Sequence, residues 1–199
     1  MNSKIIDSLA LNTLVNKSNL VGAEIGVGTG INALSILENL DIKRLYLIDP
    51  YADFFTVVSE SDRIDKNGVV KTSRRIVFNN MKYPHIHIDS NSFCKEGAIE
   101  TVKEYSDKII WIYDISSEAV NKIYDNELDF VYIDGNHKYE YVKQDIILYR
   151  DKVKKGGLVS GHDFDRDYVE KAVREVVKEN IYYGKSNSRA NLDWWYIKV

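Results

Sequence analysis

At 199 residues, with 44% hydrophobic and 29% charged side chains, the chain has the composition of one soluble globular domain and is too apolar to be disordered. A net charge of −3 argues against a chain-wide nucleic-acid or membrane surface. The single cysteine, Cys94, excludes an intramolecular disulfide and a thiolate zinc cluster.

In chain order, residues 4–15 place Ile5, Ile6, Leu9, Ala10 and Leu14 on one helical face. Asp7, Asn12, Asn16 and Lys17 interrupt any leader-like apolar core. No apolar run reaches the roughly 20 residues of a membrane span, so a reducing, cytoplasmic location is expected. Leu20–Ile25 reads as a strand, Gly26-Val27-Gly28-Thr29-Gly30 as a turn, Ile31–Leu40 as a helix and Leu45–Ile48 as a second strand stopped by Asp49-Pro50. That order is a βαβ unit. Residues 51–92 break the rhythm and read as an inserted cap, with a helix around Val69–Asn80 and an extended piece at Ile86–Ile88.

The alternation then resumes. Ala98–Tyr105 reads as a helix, Ile109–Tyr113 as a strand ending at Asp114, and Ser117–Tyr124 as a helix. Phe130–Ile133 is a strand ending at Asp134, and Tyr139–Val153 is a helix stopped by Lys154-Lys155-Gly156-Gly157. Leu158-Val159-Ser160 is a fifth strand before His162-Asp163, and Tyr168–Glu179 is an amphipathic helix. Ile181–Tyr183 and Trp194–Val199 close the chain as a strand pair. Helices alternating with continuous apolar strands define an α/β fold, a mostly parallel sheet with helices on both faces.

Ligands of such sheets bind beyond the carboxyl ends of the strands. Those ends carry Glu24 and the glycines, Asp49, Asp114, Asp134 and His162-Asp163. The glycines permit positive φ and close backbone approach, and Asp49 stands where a carboxylate accepts from both hydroxyls of a ribose. Nucleoside binding is therefore expected. The dinucleotide fingerprint wants a third glycine where Ile31 stands, and no P-loop lysine is present.

What remains, Glu24-x-Gly26-x-Gly28-x-Gly30, resembles the first motif of class I S-adenosylmethionine-dependent methyltransferases. The final Trp194-Trp195-Tyr196-Ile197 is similar to that family's antiparallel seventh strand. The resemblance implies a Rossmann-like, seven-stranded sheet and S-adenosylmethionine as cofactor. Glu24 would lie near its methionine moiety, Gly26, Gly28, Thr29 and Gly30 along it, Asp49 on the ribose, Asp114, Ile115 and Ser116 by the adenine, and Asp134 beside it. Tyr132-Ile133-Asp134-Gly135-Asn136-His137 with Gly156-Gly157-Leu158-Val159-Ser160-Gly161-His162-Asp163 is similar to methyltransferase domain 24, related to the cation-dependent catechol and sugar O-methyltransferases.

That resemblance implies a divalent cation, Mg²⁺ or Mn²⁺, on Asp134, His162 and Asp163, with His137 or His162 taking the proton and Asp134 at the catalytic centre. The histidine departs from the relatives' acidic or amide ligands and suits Mn, Fe or Zn better than Mg²⁺. A metal-free site using His162 or His137 as base is the alternative.

The partner expected is a small hydroxylated acceptor, a saccharide or sugar-containing metabolite ahead of an aromatic diol; a homodimer is compatible, membrane association is not expected and nucleic acid is disfavoured. Lys66, Lys71, Arg74, Arg75 and Lys82 in the cap could dock a phosphate, or form a solvated helix face. Tyr51, Phe54, Phe55 and Tyr83 could stack on an acceptor or pack the cap. His85 and His87 read as a surface pair. An NAD-linked oxidoreductase and a non-catalytic nucleoside-binding subunit are the other classes this sequence admits.

Overall fold

A computed structural model describes residues 8–51, 55–64, 70–78, 81–82, 95–185 and 192–199. Ala10–Leu14 is a short 3₁₀ turn that buries Ala10, Leu11 and Leu14, and residues 4–7 of the helix predicted over 4–15 lie outside the described residues. The first βαβ unit follows as β1 (Leu20–Ile25), α1 (Ile31–Asn39) and β2 (Ile42–Ile48). Next come β3 (Phe55–Ile64), β4 (Val70–Phe78), β5 (Met81–Lys82) and α2 (Lys95–Thr101). The chain continues through β6 (Ile109–Ile112), α3 (Ser116–Ala119), β7 (Leu128–Ile133) and α4 (Tyr139–Arg150). It ends with β8 (Val153–Gly161), α5 (Asp167–Val176), β9 (Tyr182–Lys185) and β10 (Leu192–Ile197).

Seven strands form one sheet in the order β6-β2-β1-β7-β8-β10-β9. The pairs from β6 to β8 are parallel, and β10 runs antiparallel to both β8 and β9. Alternation along the strands divides the core between the two faces. On β7, Val131 and Ile133 join the face covered by Val142, Ile146 and Tyr149 of α4 and Val169, Ala172 and Val173 of α5. Phe130 and Tyr132 join the other, with Ala33, Ile36 and Leu37 of α1, Val102, and Leu11 and Leu14. Strands buried on both faces read as continuous apolar runs, which is why they are legible in the sequence.

Three expectations are corrected. The predicted helix at Val69–Asn80 is strand β4, paired antiparallel with β3 in a separate three-stranded sheet. Thr56, Val57 and Ile64 pair with Val77, Ile76 and Val70, and that β-branched content outweighs the helix-like spacing. The basic residues of β4 therefore make no helix face, while Ile86–Ile88, Lys66, Phe54, Tyr83, His85, His87 and Cys94 lie outside the described residues.

The helix expected to reach Val153 stops at Arg150, and Lys154-Lys155-Gly156-Gly157 is strand. A register shift between Leu128 and Phe130 and a φ of 78° at Gly156 accommodate it. There the Gly156 N–H donates to the Lys198 carbonyl at 2.7 Å, and the Lys198 N–H to that of Gly157 at 2.9 Å. The predicted helices at Ala98–Tyr105 and Ser117–Tyr124 are each a short α-helix run into a 3₁₀ turn.

Candidate active site

The ladder of the sheet sets the site residues side by side. Beyond the last paired residues, the Gly26 N–H donates to Ile48 O, Asp49 N–H to Ile112 O, Asp134 N–H to Ile25 O and His162 N–H to Ile133 O, at 2.8–3.2 Å. The ends of β6, β2, β1, β7 and β8 thus form one continuous edge.

The glycine turn is built by contact as well as by conformation. Gly26 has φ 83°, and a Cβ there would lie 2.2 Å from the Asp134 carbonyl oxygen. Gly28 and Gly30 also have positive φ, Gly30 as the residue before α1. Thr29 lies between them, partly buried. Glu24 pairs with Leu47 and Tyr132 in the ladder, so it faces α1, where the Asn32 amide donates to its Oε1 at 3.0 Å. Asn32 is a partner the sequence reading missed.

Asp49 holds the turn. Its Oδ2 accepts from the Val27 and Gly28 N–H groups at 3.0 Å each, and Oδ1 from the Tyr51 N–H at 2.9 Å. Tyr51 has a φ of 45°, rare for an aromatic residue. Its hydroxyl donates to Gly28 O at 3.0 Å, and its ring packs on Trp111 and Tyr113. Lys95 Nζ lies 3.3 Å over the Tyr113 ring. Tyr51 therefore belongs to the glycine turn's wall.

At the end of β6, Asp114 accepts from the Ile115 N–H at 3.1 Å and pairs with Lys122 at 3.3 Å. Ile115 is exposed. Ser116 is tied to α4 twice: its Oγ donates to Asp145 Oδ1 at 2.5 Å, and the Tyr149 hydroxyl donates to its carbonyl at 2.9 Å. Asp145 is buried, and that burial pushes its carboxyl up to about 6 despite the opposing Ser116 hydrogen bond. The sequence signal for Asp145 was an acid on the apolar stripe Val142, Ile146, Tyr149.

The remaining predicted residues converge. Asp134 Oδ1 and Asp163 Oδ1 lie 3.7 and 3.3 Å from His162 Nδ1. Asp163 Oδ2 lies 3.1 Å from both His137 Nδ1 and Arg166 Nε. Asp163 is buried with φ 59°, a left-handed conformation that aspartate tolerates better than most residues. Arg166, absent from the sequence reading, reaches back three residues from the turn before α5.

Burial pulls the His162 imidazole down, but the hydrogen bond it donates to Asp163 and the charges of Asp134, Asp163 and Asp193 outweigh it and raise its pKa. His137 is lowered, chiefly by burial and further by Arg166 and His162, against the pull of Asp163. Asp134, His162 and Asp163 each offer one donor atom, all within 4.8 Å of one another. Two carboxylate oxygens and an imidazole nitrogen at that spacing fit one divalent cation, with Mn²⁺ suited to the mixed set.

A methyltransferase-domain family model matches residues 23–164, which contain all of these site residues except Arg166. The chain belongs to that methyltransferase family, for which S-adenosylmethionine is the expected cofactor. An uncharacterized protein of Acanthamoeba polyphaga mimivirus is 32% identical over 183 residues, covering 88% of this chain and 66% of that protein. A crystal structure of precorrin-6y C5,15-methyltransferase from Geobacter metallireducens superposes with a TM-score of 0.60 at 13% identity, covering 96% of this chain and 86% of the other. Spermidine synthase from Thermotoga maritima has a TM-score of 0.56 at 14% identity over 97% of this chain and 58% of its own. The chain therefore spans about two thirds of the viral relative and less of the synthase. These structural likenesses establish the Rossmann-like methyltransferase fold. Among the described residues, no helix is long and apolar enough to cross a membrane.

Proposed function

We propose that the chain is an S-adenosylmethionine-dependent O-methyltransferase whose acceptor is a hydroxyl on a small molecule, a saccharide or sugar-containing metabolite in preference to an aromatic diol. The observation that carries the proposal is the His137–Asp163–Arg166 chain at the edge shared with Asp134 and the glycine turn. With Nδ1 facing Asp163, His137 presents Nε2 as the proton acceptor. Its lowered pKa keeps it neutral at physiological pH, as a general base must be. Arg166 fixes the Asp163 carboxylate, so that the imidazole has one orientation.

S-adenosylmethionine supplies an electrophilic methyl group, and the protein's work is in-line placement and proton removal. Gly26, Gly28, Thr29 and Gly30 line it, Asp49 holds the ribose, Asp114, Ile115 and Ser116 border the adenine, and Glu24 and Asp134 flank the methionine end. The acceptor hydroxyl is held near Asp134 and gives its proton to His137. Asp134, His162 and Asp163 would hold a divalent cation, which when bound would make the acceptor hydroxyl more acidic and orient it. His162 then serves as a ligand, its Nδ1 lying between the Asp134 and Asp163 carboxylates. The 51–92 segment, inserted between β2 and α2, chooses the acceptor.

The test is transfer of a labelled methyl group to a panel of saccharides, nucleotide-sugars and catechols, after EDTA treatment and again with Mg²⁺ or Mn²⁺. Labelled sugar supports the reading. Labelled catechol alone, or labelled RNA alone, contradicts its acceptor class.

A further inference from the structure

Asp145 takes no part in the proposed chemistry, yet it is a buried carboxyl on a helix that begins two residues after His137. A charged group there costs stability unless it is paired or hydrogen-bonded. Its partner is the Ser116 hydroxyl, 29 residues away, and one helical turn on, Tyr149 bonds the carbonyl of the same serine. Asp145 Oδ2 also lies 4.0 Å from where a Cβ on Gly135 would stand, so it reaches the end of β7 as well as the end of β6. In the turn it grips, Asp114 and Ile115 are open to solvent, whereas Ser116 is turned toward α4. The α4 anchor and the ligand-facing residues are thus on opposite sides of one three-residue turn.

We propose that Asp145 is a positioning residue for the cofactor's adenine, fixing the Asp114–Ser116 turn through the Ser116 hydroxyl. The inference rests on the adenine bordering that turn, as the function above requires. Two bonds to Ser116 set where the Asp114 carboxylate stands, and that carboxylate accepts from the adenine amino group. Losing the anchor lets the turn shift, and the site loses its preference for an amino over a carbonyl substituent on the base. Asparagine at 145 keeps an oxygen that accepts from Ser116 and so keeps the anchor; alanine does not.

The test is calorimetric titration of the wild-type chain and the Asp145→Ala, Asp145→Asn and Ser116→Ala variants with S-adenosylhomocysteine and with its inosine counterpart. Asp145→Ala and Ser116→Ala should each weaken S-adenosylhomocysteine binding about tenfold, the scale of one lost charge-assisted hydrogen bond. Binding of the inosine analogue should change little, and Asp145→Asn should bind as the wild type does. Equal losses for both ligands, no loss in either truncation, or no rescue by asparagine would overturn the inference. Should Asp145→Ala fail to fold, Ser116→Ala decides alone. If the wild type binds neither ligand, the function itself fails, a result distinct from wild-type binding that the variants leave unchanged.

Discussion

Asp49 accepts three backbone N–H groups, from Val27, Gly28 and Tyr51, before any ligand arrives. Each carboxylate oxygen can accept more than one hydrogen bond, so the residue that shapes the turn can also hold a ribose. Asp49→Ala removes both tasks, and S-adenosylhomocysteine affinity should fall at least about a hundredfold, the scale of two lost bonds to a charged group. Unchanged affinity in a calorimetric titration would remove Asp49 from the cofactor site. His137→Gln should lower turnover about 10²–10⁴-fold, the usual contribution of a general base, while S-adenosylhomocysteine affinity stays within a few-fold. A variant that turns over normally would move the base elsewhere.

The same scale governs Asp145, whose pKa rises from 3.8 to about 6 through burial. A raised carboxyl binds its proton more tightly in the folded state. Its protonated form is fully tolerated below about pH 4, and stability is lost as pH rises through 6. The rise corresponds to about 3 kcal/mol. Urea unfolding of wild type and Asp145→Asn should therefore diverge by up to about that amount between pH 4 and pH 7, with the asparagine variant gaining. A difference independent of pH would show that the carboxyl titrates normally.

Among the elements, the glycine turn offers the sharpest contrast. Gly26 and Gly28 both have positive φ, but an added Cβ meets the Asp134 backbone at Gly26 and nothing within 4 Å at Gly28. Gly28→Ala should cost about 1 kcal/mol, the strain of a left-handed alanine. Gly26→Ala adds displacement of the β7 end and should cost about 3 kcal/mol or more. Equal costs in denaturant titrations would mean that the two glycines serve backbone conformation alone.

The strands that bracket this turn were legible because burial on both faces leaves an unbroken apolar run. The β3–β4 pair was not, since Lys71, Arg74 and Arg75 suggested a helix face and Asn67-Gly68, a hairpin dipeptide, was passed over. The end of α4 was misplaced because Lys-Lys-Gly-Gly is as good a helix stop as it is a distorted strand.

Across the whole molecule, the strand-end rule singled out Asp134, His162 and Asp163, and the family resemblance added His137. Asp134, His137, His162 and Asp163 lie together, at separations up to 29 residues in the chain. The layer behind was hidden because its partners meet only after folding. Asn32 answers Glu24 from α1, Arg166 answers Asp163 across a turn, and Asp145 answers Ser116 across the β7 unit. None has a spacing that marks it in a sequence, and only Asp145 left a trace, as an acid on an apolar stripe.

The central claim is that this sheet edge binds S-adenosylmethionine and activates a hydroxyl beside Asp134. The most direct measurement is calorimetric titration of EDTA-treated protein with S-adenosylhomocysteine, repeated with Mn²⁺ and with NAD in its place. Saturable binding of S-adenosylhomocysteine is expected at micromolar concentration or below, lost in Asp49→Ala, with none of NAD. No binding of S-adenosylhomocysteine under any of these conditions would contradict that claim.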